Sequence, residues 1–240
     1  MIELRIEGEV ARLALTRPEV RNAIALAGWA EIAAAIAQSV GRGVRAILLC
    51  GEGDAFCAGA DLGDFPSFAG DEAAVSRFRL AMRRAFDAIE EAPLPVIALI
   101  EGPCYGAGVA LAMACDLRLA GAGARFAITP AKMGVSYPQE DIARLVALVG
   151  AGQAARLLFG GEAIDAGEAK RIGLVDADSI DLEALSAAIL TNDRESLATL
   201  KRGIGLTVRG VRSDSEQDRM FDRLLADPAL AARLEGRRRR

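Results

Sequence analysis

Two short apolar runs, each closed by a turn, restrict what this chain can fold into more than any other feature. VRAILLC occupies 44–50 and PLPVIALIEG occupies 93–102. The first meets the turn GEGD; the second begins after a proline stop and ends on glycine. Strands without polar alternation are buried on both faces, which is the condition of a parallel sheet covered by helices. A helix over about 72–91 separates the two runs, and one over 27–40 carries Trp29, Ile32, Ile36 and Val40 at helical spacing. Strands alternating with helices indicate an α/β architecture.

Residues 2–7 and 10–16 read as two strands joined by a tight turn at Gly8, with Val10, Leu13 and Leu15 inward. CDLRLAG (115–121) and RFAIT (125–129) read as further strands. Helices are expected at about 139–149, 151–159, 165–171, 181–190, 193–209 and 214–226. No Pro/Ser/Gly-rich linker divides the 240 residues, which suffice for one large domain or one domain with a helical appendage.

Several functions are excluded early. A net charge of −4 argues against a general nucleic-acid binder. The run Arg237 to Arg240 reads either as a solvated terminus or as a grip on an anionic ligand or neighbouring subunit. With no histidine, the Ser-His and Cys-His nucleophile arrangements and the commonest metal ligand are missing. Cys50, Cys57, Cys104 and Cys115 form no CxxC pair, so no metal site is expected. The opening IELRIEGEV has no basic and apolar leader. The most apolar long stretch, 22–37, contains Glu31 and patterns as amphipathic, so no segment is expected to span a bilayer. A reduced, cytoplasmic protein is expected.

The chemistry is concentrated in two loops, FCAGADL (56–62) and GPCYGAGVALAMACD (102–116). They form an internal echo: ILLCGEGDAFCAGA and ALIEGPCYGAG both run strand, turn, cysteine, glycine-alanine loop. The first N–H groups of a helix lack intrahelical partners and carry the positive end of its dipole. Small side chains let a ligand oxygen approach them. Two such groups converging make an oxyanion hole from backbone alone, able to stabilise an enolate formed from a thioester. Taken singly, either loop reads equally well as close helix packing.

Four ordered segments resemble the enoyl-CoA hydratase/isomerase (crotonase) family: RPEVRNAI (17–24), GDAFCAGADL (53–62), IEGPCYGAGVALAMACDLRLAGAGARFAITPAKMGVSYP (100–138) and GEAIDAGEAKRIGLVD (161–176). The resemblance implies a crotonase-like spiral of ββα repeats over 1–180, with a C-terminal helical region over 181–240 that is not an independent domain. It also implies a homotrimer or a hexamer built as a dimer of trimers. The expected ligand is an acyl-CoA thioester, with coenzyme A entering as part of the substrate and no cofactor bound permanently. Its carbonyl is expected between the N–H groups of Ala60 and Ala107. Ala58, Asp61 and Leu62 are expected along the coenzyme A, and Arg21 at its phosphates. Most family members have glycine where this chain has Ala107.

The resemblance also exposes a departure. The two glutamates of the family's hydratases fall on Ala110 and Pro130, and neither residue moves a proton. A lone acid used by some isomerases and dehalogenases falls on Pro138, so Glu140 becomes the candidate acid/base and Tyr137 a candidate hydrogen-bond donor. PQED also reads as an ordinary helix start. Cys57 and Cys104 read as buried hydrophobes. Asp61 doubles as a turn cap, and Asp116 and Glu101 read as structural. Single-base chemistry, such as a double-bond shift, is favoured over hydration. The alternative is a non-catalytic acyl-CoA-binding or scaffold protein of the same fold.

Overall fold

The computed structural model describes residues 1–179, 188–230 and 233–234. Most of the helix expected over 181–190, and the arginines 237–240, lie outside the described residues. The main sheet begins with β1 (Ile2–Glu7) and β2 (Val10–Leu15), an antiparallel hairpin with Ile2 opposite Leu15. β3 (Ala46–Gly51) and β4 (Val96–Ile100) continue it in parallel. A short β5 (Pro103–Tyr105) leaves the sheet, and β6 (Leu117–Ala120) completes it in the order β1-β2-β3-β4-β6. β7 (Arg125–Ala127) and β8 (Ile164–Asp165) join β5 in a second, three-stranded sheet.

The two apolar runs occupy the interior strands β3 and β4. Ile47 and Leu49 point into the main core with Leu13, Trp29 and Phe86, while Ala46 and Leu48 meet Ile97, Leu119 and Ile189 on the opposite face. The main core is closed by α1 (Leu26–Gly41) and α2 (Glu72–Glu91), where the Trp29 and Phe86 rings meet edge-on at 5.6 Å. Asp64 caps α1 from a distance, accepting the Leu26 N–H at 2.7 Å, and Asp71 caps α2 on Ala74 at 2.8 Å.

Largely buried cations fasten the later elements. Arg118 of β6 reaches the carbonyls of Leu174 and Cys115 and pairs with Asp176 at 2.7 Å. Asp116 follows α3 (Ala107–Ala114), accepts the Val96 N–H at 2.7 Å and pairs with Lys201 at 2.7 Å. The structural role expected for Asp116 is therefore the observed one.

α4 (Gln139–Gly160) is two helices in tandem. The two helices expected over 139–149 and 151–159 are both present, separated by a kink at Gly150, whose φ of 75° and ψ of 159° are not helical. Taken together they are long and apolar enough by composition to cross a bilayer, but neither helix alone reaches the length of a span. The break at Gly150, and the engagement of Arg144 by Asp141 and Glu90, fit a helix packed on protein. The strand expected over 125–129 stops at Ala127 because residues 130–133 wind into a 3-10 turn ended by left-handed Gly134. α5 (Ala166–Ile172) follows β8.

The C-terminal helices α6 (Arg194–Val208) and α7 (Ser215–Leu225) dock through Lys201, whose ammonium also donates to the carbonyls of Ile89 and Leu94 at 2.8 and 3.0 Å. Truncation strands one carboxylate and two carbonyls. Lys201→Ala is therefore expected to lower stability by about 1–3 kcal/mol. Urea unfolding measures it, and a loss below about 1 kcal/mol, as for an exposed pair, would exclude this anchoring role.

Candidate active site

The two loops meet through backbone. Tyr105 of β5 donates its N–H to the Cys57 carbonyl at 2.8 Å, and Cys57 donates to Pro103 at 3.0 Å. The cysteines of the sequence echo, Cys57 and Cys104, are thus direct partners in a parallel bridge. The other edge of the first loop is held by 21–24. Ala58 donates to the Arg21 carbonyl at 2.8 Å, Ile24 to Gly59 at 2.8 Å, and Asp61 to Ile24 at 2.9 Å. These bonds consume the backbone groups of Gly59 and Asp61 on that side. Alternation along an extended backbone turns the Ala60 N–H to the other side, that of α3.

Gly59 makes the approach possible. Its φ is +104°, and a Cβ there would stand 2.8 Å from the Tyr105 carbonyl oxygen and 3.1 Å from the Ala107 nitrogen. Only glycine combines that dihedral with that contact. Gly108 likewise presses on Cys57, where a Cβ would meet the carbonyl oxygen at 2.5 Å. Gly106, with φ 49° and ψ −121°, turns the chain into α3. Ala107 opens that helix, and neither its N–H nor that of Ala60 meets a hydrogen-bond acceptor among the described residues. Arg21 and Asn22 are the described non-glycine residues with positive φ. Ala107 therefore carries its Cβ without left-handed strain, where most of the resembled family has glycine.

The side chains around this pair are committed elsewhere. Asp61 accepts from Gly63 and pairs with Arg17 at 2.7 Å, and the Arg17 hydrogen bond holds its carboxyl below the usual range. Arg17 itself reaches the Ala23 carbonyl, so the first sequence segment clamps the second. Leu62 is exposed, Ala58 half-buried, and Arg21 exposed with no ion pair among the described residues. Burial pushes the Cys57 and Cys115 thiols up to about 12 and raises Cys104 likewise. Such thiols are inert near neutral pH. Glu101 lies exposed, its carboxylate against Gly121. Among the described residues, no three His, Cys, Asp or Glu side chains are grouped to hold a metal.

Glu140 is half-exposed, and its carboxylate faces Arg83 of α2 at 3.7 Å. The buried acid is its neighbour Asp141, 3 % exposed and paired with Arg144 at 2.7 Å. The sequence places Glu140 and Asp141 side by side and Glu140 is taken as the candidate; the spacing of Asp141 to Arg144, one helical turn on, is the signal that separates them. Tyr137, read as a donor to ligand, instead donates to the Gly106 carbonyl at 2.8 Å. A groove of about 450 Å³ lined by Leu200, Ile204, Val208, Asp214 and Gln217 shares no residue with these loops.

Burial outweighs the Arg144 guanidinium and raises the Asp141 carboxyl to about 6 from 3.8. The folded state therefore holds this proton more tightly than the unfolded chain. Its stabilising contribution is complete below about pH 4 and is lost as pH rises through about 6. Across that window, wild type is expected to lose roughly 2–3 kcal/mol relative to Asp141→Asn. Urea midpoints from pH 4 to 7 test this, and parallel profiles for the two proteins would refute it.

A family model described as enoyl-CoA hydratase/isomerase matches residues 5–216. The probable enoyl-CoA hydratase echA6 of Mycobacterium tuberculosis is 40% identical over 187 residues, covering 75% of this chain and 74% of that protein. A crystal structure of an enoyl-CoA hydratase/isomerase family protein from Hyphomonas neptunium superposes with a TM-score of 0.90 at 38% identity, covering 98% of this chain and 95% of the other. A Thermobifida fusca protein provisionally named enoyl-CoA hydratase, solved in complex with acetoacetyl-CoA, gives a TM-score of 0.81 at 29% identity over 98% and 95% of the two chains.

Proposed function

The chain belongs to the enoyl-CoA hydratase/isomerase family and has its crotonase fold, and on that premise we propose that it binds an acyl-CoA thioester with the carbonyl oxygen between the N–H groups of Ala60 and Ala107. One observation carries this reading. Two backbone donors that meet no acceptor among the described residues lie on loops that Gly59 holds in contact. A thioester oxygen that gains charge on enolisation suits such fixed dipoles, because they need no reorganisation during reaction. α3 adds its positive end, and its residues Gly108 to Ala114 are buried, away from screening water. The acetoacetyl-CoA bound by the Thermobifida fusca relative supports this ligand class.

Enolate chemistry with a single base is the reaction favoured. Ala110 and Pro130 supply no proton, which weighs against adding water across a double bond. Glu140 remains the candidate base of the chain, with its pairing to Arg83 standing against it. A second reading, thioester capture without turnover, is favoured by that same pairing and by the burial of Asp141 against Arg144.

Incubating small 2-enoyl-, 3-enoyl- and saturated acyl-CoA thioesters with the protein in D₂O separates the readings. Mass spectrometry is expected to show deuterium entering beside the thioester, and Glu140→Gln to abolish it. Binding without exchange or hydration in any thioester selects capture. Ala107→Pro deletes the second donor at a helix position that accepts proline. It should lower turnover by about 10²–10³-fold; unchanged turnover in this variant would exclude the hole.

The same reading extends to assembly. Leu200, Ile204 and Val208 of α6, and Phe221 and Leu225 of α7, are 61–66 % exposed. Apolar surface of that kind marks an interface, and further copies of this chain are its proposed occupant. Native mass spectrometry is expected to give a trimer or hexamer, with Ile204→Glu shifting it to monomer. A monomeric wild type would overturn the assignment.

A further inference from the structure

The Tyr137 hydroxyl donates to the Gly106 carbonyl oxygen at 2.8 Å. That carbonyl and the Ala107 N–H belong to one peptide group. In a trans peptide the C=O and N–H point in opposite directions. The tyrosine therefore stands behind the peptide whose N–H faces the proposed carbonyl site. The Gly106 oxygen also accepts from Val109 at 3.0 Å and from Ala110 at 3.3 Å. Three donors on one oxygen polarise the peptide and strengthen the hydrogen bond its N–H can give. We infer that Tyr137 is a positioning residue, which fixes and polarises the 106–107 peptide so that Ala107 N–H acts as the stronger donor of the pair.

The orientation needs such a hold. Gly106 at φ 49° and ψ −121° occupies a region that only glycine adopts readily, and this dihedral sets the direction of the following peptide. Its own N–H is tied to the Ala127 carbonyl at 2.8 Å, which fixes the near side of the turn. Tyr137 is 8 % exposed, so the hydroxyl works out of water, where a hydrogen bond polarises most. No side chain of the loops reaches this oxygen in its place among the described residues.

The inference rests on the thioester reading above, and the test separates their failures. Butyryl-CoA labelled with ¹³C at the thioester carbonyl is bound to wild type, and isotope-edited infrared difference spectra give the carbonyl stretch. A downshift is expected on binding. Tyr137→Phe is expected to bind comparably and lose roughly 10–30 % of that downshift. 3-Fluorotyrosine placed at 137, a stronger donor of nearly the same shape, is expected to deepen it, and this arm decides even if the phenylalanine variant does not fold. A downshift unchanged by either replacement overturns the role of Tyr137. Wild type that binds with no downshift removes the Ala60–Ala107 site itself, and this inference with it.

Discussion

The site depends on a contact that involves almost no side-chain chemistry. Gly59 lies against the Tyr105–Ala107 backbone so closely that a single methyl would force the loops apart. Every other element of the site either makes that approach possible or holds it. The parallel bridge between Cys57 and Cys104 sets the register of the two loops, and the segment 21–24 backs the first loop from its other edge. Arg17 then joins the outer segment to Asp61. Because the donors are peptide groups, their precision comes from the sheet and helix they continue, not from rotamers.

That precision is carried through the core. β3 and β4 are buried on both faces, so the strand ends that launch the two loops have no freedom to slide without exposing one apolar set or the other. Asp116 closes the second loop-helix unit by accepting the β4 amide of Val96, and Lys201 brings α6 onto the same carboxylate. The C-terminal helices thus contact the unit that carries Ala107. Such a path couples the C-terminal helices to the loop geometry through one ion pair.

Much of this was legible because it is local. The uninterrupted strands, the helical spacing around Trp29 and the repeated strand-turn-cysteine-glycine pattern each lie within a short window, and each corresponds to an observed element. The positions of Ala60 and Ala107 came from ordered segments of family resemblance, and the donors lie in facing loops. What escaped is non-local. Glu140 and Asp141 are adjacent, and nothing in PQED distinguishes them. Which one is buried is decided by α2, where Arg83 meets Glu140 while Arg144, bound to Glu90, lies over Phe86 and takes Asp141. Tyr137 was read as reaching ligand because the carbonyl that captures it lies 31 residues away.

The remaining question is where a proton could go. General acid–base work needs a group whose pKa lies near the working pH and which reaches the reacting atom. The phenol of Tyr137 is held well above its usual range by burial, with Asp141 pushing the same way. The nearby thiols are held up by burial as well. Asp141 titrates in the useful range but is committed to Arg144 behind the tyrosine. Around Ala60 and Ala107, then, the described groups are strong in fixed dipoles and poor in exchangeable protons. On the proposed reading, such a site stabilises the charge that develops on a thioester oxygen when a base, the half-exposed Glu140 or a group on the acyl chain, takes the proton beside it; without a base the oxygen stays neutral and is only polarised. Whether a base reaches that proton therefore decides between enolisation and capture, and on the proposed reading the Ala107 N–H serves both.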